Sequence, residues 1–269
     1  SAGGTTDYGD YNILILEHLA CIATPSRVFE VQKLLPHWMN RLENNWGSWI
    51  CTMSIETHAQ VKQGMDVSNI GGYSNATAIR HVAAHAYWED EEELVSVAKK
   101  TMFTHRETHA LGGAEFFARV TNRVIKGITP KDAILEVASL MGGFFEDKVK
   151  QAIAKYEEEK DPSSSLSKEK FSDDLALTSM AKLWDVGRSE PIKVGKASPT
   201  EGTLPGSVYF ILKYANKEDG LKKALQANVM VGGDNASRAI MIGMVLGAYL
   251  GIDAIPKEWK ENLTQWDYC

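Results

Sequence analysis

Helix-period apolar segments follow one another along almost the whole chain, and strand-like alternation is nearly absent. That pattern constrains the fold most. From Asn12 to Ala23, the residues Ile13, Leu14, Ile15, Leu16 and Leu19 are too continuous for an amphipathic surface helix. They predict a helix buried on most sides. A second start signal falls at Ser26, with Phe29, Val31, Leu34 and Leu35 on the pattern, and Pro36 is expected to interrupt it. The Trp-rich run from Trp38 to Ile50 continues the helical pattern, and Ala78, Ile79, Val82, Ala83 and Ala86 predict a helix directly after the Gly-rich loop Ile70 to Asn75.

Further helices are expected over Asp90 to Phe103, with an acidic first turn, and over Thr108 to Lys126, closed by Gly127. Thr129-Pro-Lys-Asp132 is a start signal with Pro at the first helical position. Glu157 to Asp174 turns to Glu, Lys, Ser and Asp and is expected to be an exposed loop or insertion. Helices resume at Leu175 to Leu183, Leu204 to Tyr214, Gly220 to Met230 and Ala236 to Leu250, and Ile192 to Val194 is a short strand candidate. The expected fold class is all-α, with one domain over residues 1–255 and a C-terminal tail over 256–269.

Composition excludes several function classes. With 269 residues, 44% of them apolar, the chain can fill a substantial core. A net charge of -6 and no basic run interleaved with aromatics argue against nucleic-acid binding. The longest clean apolar run, Ile240 to Leu250, is too short for a membrane span. Cys21, Cys51 and Cys269 form no CxxC pair, which points to a reducing compartment such as the cytoplasm or an organelle interior. Ser1 runs straight into a motif without a starter methionine, so the chain is expected to lack its N-terminal segment.

The sharpest motif is Val231-Gly-Gly-Asp-Asn-Ala-Ser-Arg238, running into a helix of small and apolar residues with Gly243 and Gly247. Two glycines permit a tight turn, and Asp234 sits at the mouth of the helix. This segment resembles the C-terminal signature of the ADP-ribosylglycohydrolase family, Gly-Gly-Asp-Thr-Asp-Thr before a small-residue helix. Further blocks match in order. Ser74-Asn-Ala-Thr-Ala-Ile-Arg80 is similar to the family's ADP-ribose-contacting loop, and Thr104-His105 to its Thr-His pair. Gly202-Thr-Leu-Pro-Gly206 matches before a helix, and Thr6-Asp-Tyr-Gly-Asp10 sits where the family carries Thr-Asp-Asp-Thr. Tyr8-Gly-Asp10 and the residues around Arg238 resemble the branch with J-type crystallins and selenoprotein J.

The resemblance implies a magnesium pair held by Thr6, Asp7, Asp10, Asp234 and Ser237, with Asp7, Asp10 and Asp234 as the catalytic carboxylates. It further implies that Ser74, Asn75, Ala76, His105, Gly232 and Gly233 bind ADP-ribose. The departures matter equally. Ala236 stands where the family has its second C-terminal aspartate, and Tyr8 lies over one aspartate of the first motif. Magnesium is therefore expected to bind weakly at most, and the protein to act without catalysis, crystallin-like or as a subunit of an assembly or homo-oligomer. A magnesium-dependent hydrolase of ADP-ribose glycosidic bonds is the alternative. His105 and His109, and likewise His81 and His85, are spaced i, i+4, but no third ligand pattern supports zinc, and the second pair is expected at the surface or core edge.

Overall fold

A computed structural model describes residues 3–21, 28–181 and 198–267. The Ser26 start signal, the Ile192 to Val194 strand candidate, the end of the segment to Leu183 and Cys269 lie outside them. The named elements among the described residues are all helices, and Gly72 and His105 form an isolated bridge. The chain divides into two compact units, Ser1–Ala118 with Lys257–Cys269, and Arg119–Pro256.

In the first unit, α1 (Asp7–Cys21) buries Tyr11, Ile13, Leu14, Ile15 and Leu19, while Asp7 and Asp10 in its first turn face the positive end of the helix dipole. The next helix, α2 (Val31–Asn44), runs through Pro36 without breaking. Proline removes one backbone hydrogen bond, but Leu34, Leu35 and Trp38 on either side are buried in the core, and their burial outweighs that loss. The helix then stops at Asn44, and irregular chain separates it from α3 (Thr52–Lys62), so the stretch to Ile50 is not continuous helix. Asp90 caps α4 (Glu91–Thr101), its carboxylate accepting from the Glu93 N–H at 2.9 Å.

The segment Ala78 to Ala86 departs most from its helical pattern. It has no regular structure up to His81 and forms only a 3₁₀ turn over Val82–Ala86. The side chain of Asn12 on α1 explains this, donating to the Ile79 carbonyl at 2.8 Å and accepting from the Val82 N–H at 3.3 Å. Those backbone groups are thus satisfied outside a helix. The chain after Pro256 is tied back to the N-terminal end. After a short terminal helix over Lys257–Asn262, both the N–H and the hydroxyl of Thr264 donate to the Gly3 carbonyl, at 3.0 and 2.9 Å.

Helix α5 (Thr108–Ile125) begins in the first unit. There Gly113 lets the buried Thr77 approach the helix: a Cβ at position 113 would lie 2.7 Å from Thr77 Cγ2, with the Thr77 hydroxyl closer still. Gly113→Ala should therefore cost about 2 kcal/mol by overpacking. Urea unfolding of the variant tests this, and a loss below about 0.5 kcal/mol would show that Thr77 moves away freely.

The second unit holds α6 (Pro130–Met141), α7 (Gly143–Lys160), α8 (Ser165–Lys168), α9 (Ser172–Ala181), α10 (Thr200–Tyr214), α11 (Gly220–Met230) and α12 (Asn235–Leu250). Thr129 caps α6 through its hydroxyl, with Pro130 at the first position. Helix α10 is buried along nearly its whole length and contacts α6, α7, α9, α11 and α12. That explains its near-continuous apolar sequence. Residues 157–174, expected as a loop, are largely helical: α7 reaches Lys160, α8 follows, and α9 starts at Ser172. Ser163 and Ser165 are exposed, yet Leu166 is buried and Glu159 and Asp173 bind Lys213 of α10. Buried ion contacts and one apolar anchor offset the ordering entropy that the polar composition suggested would win.

Candidate functional site

In the first unit three distant blocks meet around Tyr11 and Arg80. The first is the start of α1. The Thr5 hydroxyl donates to Asp10 Oδ1 at 2.7 Å, and Arg41 Nη2 stands 3.9 Å from the same oxygen. Asp10 is 3% exposed, and its Oδ2 is sealed from solvent with no hydrogen-bond partner. Thr6 accepts weakly from the Gly9 N–H at 3.4 Å and its carbonyl accepts from Asp10 N, while Asp7 is half-buried in the first turn.

The second block is the loop Ile70 to Arg80. Gly71 has φ +97°, and a Cβ there would lie 2.8 Å from the Phe103 carbonyl, so both conformation and space require glycine. Gly72 pairs with the third block, its N–H donating to Thr104 O at 3.0 Å and its carbonyl accepting from Arg106 N at 2.8 Å. Ser74 Oγ accepts from the Ala76 N–H at 3.4 Å, and Asn75 and Ala76 are both half-buried. At the end of the loop Arg80 is 1% exposed, with its guanidinium carbon 3.4 Å from the Tyr11 ring centroid and 5.7 Å from that of Phe103. Stacking on an aromatic face is how a buried guanidinium is held when no carboxylate reaches it. Tyr11 is in turn fixed by the Trp38 indole N–H at 3.0 Å and a 2.6 Å hydrogen bond shared with Ser54.

Thr104 and His105 form the third block. Their side chains share a 2.9 Å hydrogen bond at Nδ1, and burial, with the nearby Arg80 charge adding to it, pushes the His105 imidazole down to a pKa of about 3. It is a neutral ring at physiological pH. His105 borders a cavity of about 380 Å³ whose walls include Ile70 and Phe103 and whose rim carries Lys99, Lys100 and Arg106. An apolar floor beneath cationic groups suits a flat, anionic ligand.

The remaining predicted site residues lie in the second unit. Gly232 and Gly233 both have positive φ, +70° and +67°, as a tight turn requires. Asp234 Oδ1 accepts from Ser237 N at 3.0 Å and so caps α12. The next residue, Arg238, is 1% exposed. Its Nε donates to Asn228 Oδ1 at 2.7 Å and its Nη2 to the Gly232 carbonyl at 2.5 Å, while Asn228 Nδ2 donates to Asn235 O at 2.7 Å. Burial lowers the Arg238 pKa to about 10, and the Asp234 charge opposes that shift. A permanent cation thus sits behind the Gly-Gly-Asp turn. Sequence reasoning gives no role to Arg238, Arg80 or Arg41. Arg238 binds Asn228 10 residues away, Arg80 stacks on Tyr11 69 residues away, and Arg41 pairs with Glu17 24 residues away at 2.6 Å and stands near Asp10, and no local spacing signals such pairs. Among the described residues, no group of three or more His, Cys, Asp and Glu side chains is gathered as a metal site needs.

Together the helical fold and these loops define a class of all-α proteins with Gly-rich turns opening onto buried helices. The profile of one family, ADP-ribosylglycohydrolase, matches residues 1–269, and the chain belongs to that family. It is 23% identical over 209 residues to the ADP-ribosylhydrolase ARH3 of Mus musculus, covering 71% of this chain and 53% of the relative. It is 22% identical over 204 residues to that of Homo sapiens, with 71% and 54% covered. The chain thus spans about half the length of these relatives. A solved structure described as an ADP-ribosylglycohydrolase-related protein complex shares the fold, with a TM-score of 0.65 and 17% identity over 99% of this chain and 78% of the other. Among the described residues, no helix is long and apolar enough to cross a membrane.

Proposed function

We propose that this chain is an ADP-ribosylglycohydrolase-fold protein with a degenerate magnesium site, working without catalysis as a crystallin-like protein or an assembly subunit. The observation carrying this reading is the chemistry of the C-terminal turn. Ala236 offers no side-chain oxygen, Asp234 is engaged in capping α12, and the buried Arg238 guanidinium already supplies positive charge beside it. A pair of magnesium ions needs several carboxylates and near-octahedral oxygen shells, and these residues do not fit that demand. The resemblance of Tyr8-Gly-Asp10 and the residues around Arg238 to the crystallin branch supports the same assignment.

ADP-ribose binding without turnover is compatible with this reading. The cavity beside His105, with Lys99, Lys100 and Arg106 at its rim, has the charge for a diphosphate and the apolar wall for a base. The second reading, a magnesium-dependent hydrolase, is favoured by one observation. Asp10 Oδ2 is a sealed carboxylate oxygen with no hydrogen-bond partner, and such an atom is costly unless something binds it.

Calorimetric titration with ADP-ribose, with and without magnesium, separates the two readings. The proposal expects binding that magnesium does not change and no hydrolysis of ADP-ribosylated substrates. Turnover of about 1 per second or more would overturn it. Ala236→Asp should raise magnesium affinity by about tenfold, because it restores a hard oxygen ligand where the family carries one. An unchanged affinity would show that Asp234 and its neighbours do not form the remnant of a metal site.

A further inference from the structure

The 3₁₀ turn Val82–Ala86 and its capping residue His81 present a pair of imidazoles that play no part in the readings above. Contrary to the surface or core-edge position expected from its spacing, His81 is fully buried. His85 is half-buried, and its ring centroid lies 5.7 Å from that of His81 with the planes tilted by 49°. All four ring nitrogens are shielded from solvent and none has a hydrogen-bond partner. The turn holding them is rigid: His81 O accepts from Ala84 N at 2.9 Å, Asn12 Oδ1 fixes Val82 N, and the turn packs against α1 and α4.

Four sealed polar atoms without partners cost about 1–3 kcal/mol each. Protonation cannot relieve that cost, because burial drives both imidazoles toward the neutral form, the His85 ring down to a pKa of about 4. A neutral imidazole with a buried lone pair is, however, a metal ligand. We propose that His81 and His85 together form a binding site for a monovalent d¹⁰ metal ion, copper(I). Two imidazoles that each bind one ion at about 2 Å place their ring centroids about 6 Å apart, close to the spacing found here.

The donor set selects the ion. Among the described residues, no third Cys, Asp, Glu or His joins the pair. Zinc asks for four ligands and magnesium for an oxygen shell, and neither demand is met. Copper accepts imidazole nitrogen, and in its monovalent state it is stable with two ligands and brings the smallest charge into an apolar interior that offers no carboxylate. Ligation takes up the lone pair of each ring and so halves the number of orphaned atoms.

The test is an anaerobic titration of the full chain with copper(I) against a competing colorimetric chelator, followed by X-ray absorption of the bound metal. The expected result is one tightly bound equivalent with a shell of nitrogen scatterers. His85→Leu should weaken binding by about a hundredfold or more, because one of two ligand bonds is gone, while His109→Gln leaves it unchanged. A sulfur shell would place the copper on the thiols of Cys21 or Cys51 and overturn the proposal. Copper affinity equal in His85→Leu and the parent chain, or no bound copper at all, would overturn it too. If His85→Leu does not fold, the scatterers in the parent chain decide the matter alone.

Discussion

Lys213→Met should lower the unfolding free energy by about 3 kcal/mol, the low end of what breaking a buried ion pair costs. Lys213 has only 8% of its side chain exposed, and its ammonium lies 2.5 Å from Glu159 Oε1 and 2.5 Å from Asp173 Oδ1. The Tyr209 hydroxyl shares its one proton between the two carboxylates, which lie 3.0 and 2.9 Å away, and the Tyr214 hydroxyl donates to Asp173 at 3.2 Å. Burial first, then the Asp173 charge, raises both phenol pKa values above the usual tyrosine range, so both remain donors at any working pH. Removing the lysine leaves two carboxylates facing each other across one hydroxyl. The low end is chosen because Glu159 and Asp173 are about one-fifth exposed, and water screens part of their repulsion. By contrast, Lys257 and Glu261 are more than half exposed, and Glu261→Ala should change stability by less than about 0.5 kcal/mol. Urea unfolding at pH 7 compares the two variants. Equal small losses would mean that the network around Lys213 is no stronger than a surface pair.

The second large effect is acid sensitivity arising from His105. Its folded pKa of about 3 lies far below the 6.5 of a free imidazole. Between those values the unfolded chain takes up a proton that the folded chain refuses. Stability is therefore fully present above pH 6.5 and is lost as pH falls toward 3, by about 1.4 kcal/mol per unit and about 4 kcal/mol in all. Carboxylates also titrate in this window, so the contribution is isolated by comparison with His105→Asn. The stability difference between the parent chain and the variant should shift by about 4 kcal/mol in the variant's favour between pH 7 and 3. A difference that stays flat from pH 7 to 4.5 would mean that the His105 ring is charged or hydrated in the folded protein.

Much of the candidate site is legible in the sequence because its signals are local. The Gly232-Gly233 turn, with Asp234 capping the helix after it, needs only neighbours within five residues, and positive φ at both glycines matches what the motif implies. Asp90 and Thr129 announce their helices in the same way. The motifs at Thr6, Ser74 and Thr104 resemble blocks of one family, and the chain belongs to that family. The stacking of Arg80 on Tyr11 is of another kind. Two side chains 69 positions apart meet at 3.4 Å, and neither residue's neighbours suggest it.

What the sequence by itself determined is therefore the helical class, most caps and turns, and the family. Those properties follow from apolar periodicity and from backbone groups satisfied within a few residues. What only the tertiary structure decided is where local propensity yields. Residues 78–81 stay outside any helix because Asn12 binds the Ile79 carbonyl and the Val82 N–H. Residues 157–174 are held in largely helical form by Lys213 and by burial of Leu166. His81 and His85 lose all contact with water through their ring nitrogens. Each of these outcomes depends on a partner dozens of residues away, and a long-range contact overrides a weak local preference once burial removes competing water from the groups that make it.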